Sequence, residues 1–153
     1  MDHFQREGLP VFGPSRAAAQ LEASKSFAKT IMRRSNIPTA EARRYTDADE
    51  AINGLNEFKP PWVIKADGLA AGKGVYICQK RDEAEAGIKE IMMDGKFGKS
   101  GERVVIEEFL AGEEASFIVM VDGKNVLPMA TSQDHKRVGD ADTGPNTGGM
   151  GAY

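Results

Sequence analysis

The sequence contains a single cysteine, Cys78, so it cannot form an internal disulfide framework. It also has no apolar run long enough to span a membrane and no apolar signal-peptide core after Met1. Acidic residues outnumber basic ones by 23 to 20, and a net charge of −3 argues against a surface that tracks nucleic-acid phosphates. We therefore expect a soluble, cytoplasmic protein that binds neither nucleic acid nor membrane.

Large apolar residues are nearly missing from residues 131–151, although hydrophobic residues make up 41% of the chain. A loop this long without secondary structure is usually functional or disordered. Because the chain stops inside this glycine-rich stretch, we expect an internal fragment of a longer enzyme. The alternative is a small natural protein with flexible termini.

Residues 63–78 form the most informative stretch, a strand, a glycine-rich loop and a second strand. The spacing fits neither the P-loop nor the dinucleotide-binding pattern, which both join a strand to a helix. Gly68, Gly72 and Gly74 would let backbone N–H groups approach an anion, and Lys65 and Lys73 add positive charge. Taken alone, such a loop is more often an ordinary hairpin with solvated lysines.

The N-terminal part predicts a short strand at residues 9–12 and two helices. Ser15 is expected to cap a helix over residues 17–22, and Ser24 a second helix that runs through Ser35. Lys25 then stands in the first turn, where a cation opposes the helix dipole but can share an anion with the helix N-terminus. A solvated surface lysine is the alternative.

The rest of the chain predicts two further helices and an antiparallel set of strands. Capping boxes are expected at Thr46 with Asp49 and at Asp82 with Glu85. Residues 104–110 read as a strand, and the Asp122-Gly123 pair predicts a hairpin. The fold class expected from these patterns is α+β.

Three motifs together resemble the glycinamide ribonucleotide synthetase family of the ATP-grasp superfamily. They are residues 63–74, residues 106–117, and residues 133–137 with 144–151. The resemblance implies an ATP-grasp fold, with a glycine-flap lobe followed by part of an antiparallel second lobe. The domains it implies are residues 1–23, the end of a linker or N-terminal domain; residues 24–110, the first lobe with the phosphate flap; and residues 111–153, the truncated start of the second lobe with a substrate loop.

The resemblance implies that ATP lies between the lobes, under the glycine flap. Lys65 and Lys25 would reach the phosphates, the segment from Glu107 to Leu110 would meet adenine, and Glu114 would hold the ribose hydroxyls. The full expected ATP-binding set is Lys25, Lys65, Gly68, Gly72, Lys73, Gly74, Glu107, Phe109, Leu110 and Glu114.

The resemblance also implies ligation of glycine and 5-phosphoribosylamine through an acyl phosphate, as in purine biosynthesis. The expected catalytic residues are Lys65 and Arg137. The expected substrate-binding residues are Asp134, Lys136, Arg137, Asp142, Asn146, Thr147, Gly148 and Gly149. Mg²⁺ or Mn²⁺ is expected as a cofactor, with its ligands downstream of Tyr153, so we expect the isolated chain to be inactive. The alternatives are a nucleotide-binding module without ligase chemistry and another ATP-grasp carboxylate–amine ligase.

Overall fold

The structure is a computed structural model, and it describes residues 1–70, 73–135, 137–140, 143–146 and 149–152. The chain divides into two compact units, Met1–Leu110 and Ala111–Tyr153. Among the described helices, none combines the length and apolar character that crossing a bilayer requires.

The first unit contains five α-helices and four strands among its described residues. The helices are α1 (Asp2–Arg6), α2 (Gln20–Ala23), α3 (Lys25–Arg34), α4 (Ala48–Gly54) and α5 (Arg81–Met92). The strands are β1 (Ala42–Tyr45), β2 (Trp62–Ala66), β3 (Val75–Cys78) and β4 (Val104–Glu108). Short 3₁₀ turns lie at Leu55–Glu57 and Gly98–Gly101.

The four strands form one antiparallel sheet in the order β1-β4-β2-β3. One face packs against α4 and α5 and forms the hydrophobic core, because alternate strand residues point to the same face. Ile64 and Ile106 are Cα partners across β2 and β4, and neither is exposed. Cys78 is also buried in this core.

Helix α3 begins where the sequence predicted, because the Ser24 hydroxyl accepts a hydrogen bond from the Phe27 N–H group. Both predicted capping boxes were wrong. Asp47, not Thr46, caps α4. The Glu83 carboxylate accepts the Lys80 N–H at the start of α5, which leaves no such role for Asp82 and Glu85.

Two N-terminal predictions were wrong as well. Residues 9–12 form no strand, and the Leu9 N–H group instead donates to the Phe4 carbonyl at the end of α1. The Ser15 hydroxyl does accept from the Ala18 N–H, but only a turn follows, and the α-helix begins at Gln20.

The second unit is a set of two-stranded antiparallel ribbons. Its strands are β5 (Val119–Val121), β6 (Val126–Pro128), β7 (Ser132–Asp134), β8 (Arg137–Gly139), β9 (Thr143–Asn146) and β10 (Met150–Ala152). The pairs are β5 with β6, β7 with β10, and β8 with β9. The predicted Asp122-Gly123 hairpin is confirmed, whereas the expected structureless loop at residues 131–151 is wrong over its described part, which pairs as strands.

Candidate functional site

A pocket of about 480 Å³ lies between α3, the sheet and the glycine loop, entirely within the first unit. We call it the lysine pocket. Its polar lining residues are Glu22, Lys25, Lys29, Thr39, Lys65 and Glu107. Its other lining residues are Leu21, Ala28, Met32, Leu69, Ala70, Gly74 and Val75. Three cations thus face two carboxylates, an arrangement that suits an anionic ligand with an apolar part.

Strand alternation places Lys65 and Glu107 on the same face of the sheet. In β2, Ile64 and Ala66 point into the core, so Lys65 points to the opposite face. In β4, Ile106 points into the core, so Glu107 does not. Val63 and Glu107 are Cα partners, which makes Lys65 and Glu107 diagonal neighbours that long side chains can bridge.

The Glu107 carboxylate is buried and shared by two lysines. Its Oε2 atom lies 2.9 Å from the Lys65 ammonium and 3.5 Å from the Lys29 ammonium. Only 6% of the Glu107 side chain is exposed, so these cations supply the compensation that a buried carboxylate requires. The Lys29 ammonium also donates to the Thr39 hydroxyl at 2.8 Å and the Ala40 carbonyl at 2.9 Å.

Lys25 contacts the base of the glycine loop. Its ammonium donates to the carbonyl oxygens of Ala66 at 2.8 Å and Gly68 at 3.0 Å. The backbone N–H group of Lys25 donates to the Asp67 carbonyl at 3.0 Å. An ammonium has three donors, so one has no partner among the described residues and can serve a ligand in the pocket.

Burial lowers the pKa of both α3 lysines below the ordinary lysine value. For Lys25, desolvation is the largest cause, and the nearby Asp67 carboxylate opposes it by raising the pKa. For Lys29, desolvation again dominates over the raising effect of Glu107. Each ammonium is therefore less well solvated than a surface lysine, and a bound anion would compensate for that loss.

Asp67 fixes the loop to the start of α3. Its carboxylate accepts hydrogen bonds from the Ser24 hydroxyl and, at 2.7 Å, from the Ser26 N–H group. It also lies 3.1 Å from the Arg103 guanidinium, and only 1% of Asp67 is exposed. The acid in the glycine motif thus holds the loop in place instead of facing the pocket ligand.

The described loop glycines are required by close packing. A Cβ at Gly68 would lie 2.7–2.8 Å from atoms of Ser100, and a Cβ at Gly74 would lie 2.7 Å from the Ala70 side chain. The Gly68 N–H group donates to the Ser100 carbonyl, so it does not offer the free anion-binding donor that the sequence suggested. Gly72 lies outside the described residues, and Lys73 is exposed beside it.

The segment expected to meet adenine begins in the lysine pocket. Glu107 lines that pocket, whereas Phe109 and Leu110 follow β4 as exposed residues that line no described pocket. The Glu108 carboxylate accepts a hydrogen bond from the Glu41 N–H at 2.8 Å, which ties β4 to the segment before β1. Glu114, expected at the ribose, belongs to the second unit.

The predicted substrate residues fall on two ribbons of the second unit. Asp134 on β7 is the Cα partner of Met150, and the Gly149 carbonyl accepts a hydrogen bond from the His135 N–H at 2.8 Å. Arg137 on β8 and Asn146 on β9 are Cα partners. The other predicted substrate residues, Lys136, Asp142, Thr147 and Gly148, lie outside the described residues.

Sequence reasoning missed Lys29 and the anchoring role of Asp67. Lys29 could have been found, because it lies four residues after Lys25 and so on the same face of α3. The role of Asp67 depends on residues distant in sequence, Ser24 and Arg103, and no local pattern links them.

No group of three or more His, Cys, Asp or Glu side chains within the described ranges is arranged to hold a metal ion.

The fold defines the class of protein. The structure superposes on a D-alanine–D-alanine ligase from Helicobacter pylori with a TM-score of 0.70, covering 88% of this chain and 40% of that one, at 19% identity. It also superposes on an ATP-grasp RimK domain protein from Sphaerobacter thermophilus with a TM-score of 0.66, covering 84% of this chain and 47% of that one, at 22% identity. At such low identity these likenesses show the fold alone, which is ATP-grasp, as predicted.

The particular family follows from sequence. Residues 23–153 match the profile of the phosphoribosylglycinamide synthetase ATP-grasp (A) domain, and the chain belongs to this family. The family resemblance inferred from the three motifs is thereby confirmed.

The relatives are close in sequence but longer than this chain. Over all 153 residues the chain is 63% identical to a phosphoribosylamine–glycine ligase of Vibrio vulnificus and 62% identical to one of Pseudomonas aeruginosa, covering 36% of each. A crystal structure of the Thermotoga maritima phosphoribosylamine–glycine ligase superposes with a TM-score of 0.84 at 41% identity, covering 91% of this chain and 36% of that one. The chain therefore spans about a third of the length of these relatives.

Proposed function

We propose that this chain supplies the ATP-binding part of a ligase that joins glycine to 5-phosphoribosylamine in purine biosynthesis. The observation that carries the proposal is the lysine pocket, in which Lys25, Lys65 and Glu107 meet beside the glycine loop. The names of the relatives support the choice of substrates.

In this proposal the pocket binds ATP. The Lys65 ammonium has one hydrogen-bond partner, Glu107, among the described residues, and so keeps donors for phosphate oxygens. Lys25 adds a second cation at the base of the flap that Gly68, Gly72, Lys73 and Gly74 form. Glu107, Phe109 and Leu110 would bind adenine, and Glu114 the ribose hydroxyls.

The proposed reaction has two steps. The glycine carboxylate attacks the γ-phosphorus of ATP, which forms an acyl phosphate and releases ADP. The amine of 5-phosphoribosylamine then attacks the acyl carbon, forming the amide and releasing phosphate and the amine proton. Positioning and positive charge serve such a transfer, and we assign these roles to Lys65 and Arg137.

We assign binding of glycine and the sugar phosphate to the second unit. The proposed residues are Asp134, Lys136, Arg137, Asp142, Asn146, Thr147, Gly148 and Gly149. The proposal includes a division into three domains, residues 1–23, 24–110 and 111–153. The division of the structure into two compact units after Leu110 supports the second of these boundaries. Mg²⁺ or Mn²⁺ as cofactor and a cytoplasmic location also remain proposals.

The test compares two lysine substitutions in the full-length protein. Lys65→Ala should lower the rate of phosphate release at saturating ATP by at least about tenfold, because it removes a charged donor to the transferring phosphate. Lys59→Ala, which removes the same charge at an exposed position outside the pocket, should leave the rate within about twofold.

Turnover must require both glycine and 5-phosphoribosylamine. An unchanged rate in Lys65→Ala would refute the role of the pocket. ATP binding that never leads to substrate-dependent phosphate release would identify a nucleotide-binding module instead of a ligase.

A further inference from the structure

A second cavity, of about 530 Å³, lies between α3 and strands β1 and β4 within the first unit. We call it the arginine groove. Its cationic lining residues are Lys29, Arg33, Arg43, Arg44 and Arg103, and its polar ones are Gln20, Ser24, Ser26 and Thr30. Phe27, Ala42 and Val105 complete the lining, so no carboxylate lines the groove in the part of the chain that the structure describes.

Three of the five cations are neutralised from outside the groove. Lys29 pairs with Glu107, Arg43 with Glu41 and Glu57, and Arg103 with Asp67. In each pair the carboxylate offsets the positive charge, while the cation remains a hydrogen-bond donor.

The remaining two cations, Arg33 and Arg44, have no acidic partner among the described residues. Arg33 donates one N–H to the Ala42 carbonyl, at 2.5 Å. The Arg44 side chain makes no hydrogen bond or ion pair with any described residue. A guanidinium carries five N–H donors, so most of the donors of both side chains remain available.

We propose that the arginine groove binds a phosphoryl dianion, either inorganic phosphate or the phosphate group of a small metabolite. Two guanidinium groups that have no acidic partner carry two positive charges, which match the two negative charges of such a ligand. The N–H donors of each planar guanidinium are spaced to form paired hydrogen bonds with two phosphate oxygens. The Thr30 hydroxyl also lines the groove but already donates to the Ser26 carbonyl at 2.8 Å, so the two guanidinium groups carry the recognition. Two like charges lining one acid-free groove repel each other, and a dianion would relieve that repulsion.

The site is separate from the proposed ATP site. Among the described residues, Lys29 alone lines both cavities, and its ammonium already has three acceptors: Thr39, Ala40 and Glu107. The groove is also unusual for this chain, since acidic residues outnumber basic ones by 23 to 20 overall.

The experiment measures amide chemical shifts of the full-length protein by NMR while inorganic phosphate is added at constant ionic strength. Phosphate should shift the Thr30 and Arg44 amides. Arg44→Gln should weaken this binding by about tenfold, as expected for loss of a charge-assisted hydrogen-bonding partner. Because the Arg44 side chain has no hydrogen-bond or ion-pair partner among the described residues, this change removes no such described contact.

The matched control is Arg34→Gln, which removes the same charge from an exposed arginine at the end of α3, outside the groove. It should change the phosphate affinity by less than about twofold, as expected for a screened surface charge. Equal weakening by both substitutions would overturn the proposal, because it would show a general charge effect. Shifts confined to Lys65 and Gly74 would also overturn it, as would no shift at all.

A parallel titration with glycerol phosphate identifies the source of the ligand. Tighter binding of this monoester than of inorganic phosphate would support a metabolite phosphate group. Tighter binding of inorganic phosphate would support the free ion. Because these shifts are read at the groove and not at Lys65, the result does not depend on the proposed ligase activity.

Discussion

Lys29 and Lys65 contact the same carboxylate but have different numbers of partners. Lys29 has three acceptors, the Thr39 hydroxyl, the Ala40 carbonyl and the Glu107 carboxylate. Lys65 has only Glu107 among the described residues. An ammonium has three donors, so Lys29 is fully used within the protein, whereas Lys65 can also bind a ligand. Lys29 is therefore a positioning residue.

We expect Lys29→Met to lower the free energy of unfolding by about 1–3 kcal/mol, because it leaves buried acceptors without a donor. Lys29→Arg should recover part of this loss, since it keeps the charge. Urea unfolding measures both. A variant with unchanged stability but greatly weakened ATP binding would show that Lys29 contacts the ligand directly.

The lowered pKa of Lys25 predicts how nucleotide binding depends on pH. Because burial lowers this pKa, part of Lys25 is neutral at alkaline pH values at which an ordinary lysine, near 10.5, is still charged. Phosphate binds the charged form better, so binding takes up protons, and affinity should fall as pH rises toward 10.5.

The measurement is the dissociation constant of a non-hydrolysable ATP analogue between neutral and alkaline pH. In Lys25→Arg the guanidinium stays charged throughout, so the alkaline decrease should become smaller. Superimposable pH profiles of the two proteins would contradict a role for Lys25 in this titration.

At the scale of elements, the N-terminus of α3 joins the helix to the glycine loop. The Ser24 hydroxyl caps the helix through the Phe27 N–H and also donates to the Asp67 carboxylate. We expect Ser24→Ala to lower the free energy of unfolding by about 1–2 kcal/mol, measured by urea unfolding. Ser35→Ala, at the other end of the same helix, should cost less than about 0.5 kcal/mol. Similar losses in both variants would argue against a special role for the Ser24 cap.

The elements that sequence could predict are those with strong local patterns. Helix α3 has both a cap and an apolar stripe, and the Asp122-Gly123 turn specifies its hairpin. Strand β1 was missed because Arg43 and Arg44 give it a polar sequence, and its place depends on pairing with β4. The meeting of Lys29, Lys65 and Glu107 likewise requires the register between β2 and β4, which no local pattern specifies.

At the scale of the whole molecule, the β5–β6 ribbon exposes apolar side chains. Val119, Met120 and Val121 on β5 are all exposed, as are Val126 and Leu127 on β6. Because successive strand residues point to opposite faces, both faces of this ribbon are apolar. A two-stranded ribbon has little stability alone, and a contiguous exposed apolar surface promotes association.

We therefore expect the 153-residue chain to self-associate, with a sedimentation coefficient that rises with protein concentration. Met120 and Leu127 are Cα partners, so the double substitution Met120→Glu and Leu127→Lys places opposite charges across the ribbon and preserves its pairing. This variant should sediment as a smaller species at the same concentration.

The control, Leu9→Lys with Phe12→Glu, changes two exposed apolar residues of the first unit and should sediment like the parent chain. If the control reduced association as much as the ribbon variant, the contact surface would not be the ribbon. A parent chain that stays monomeric at every concentration would show that the ribbon is already covered.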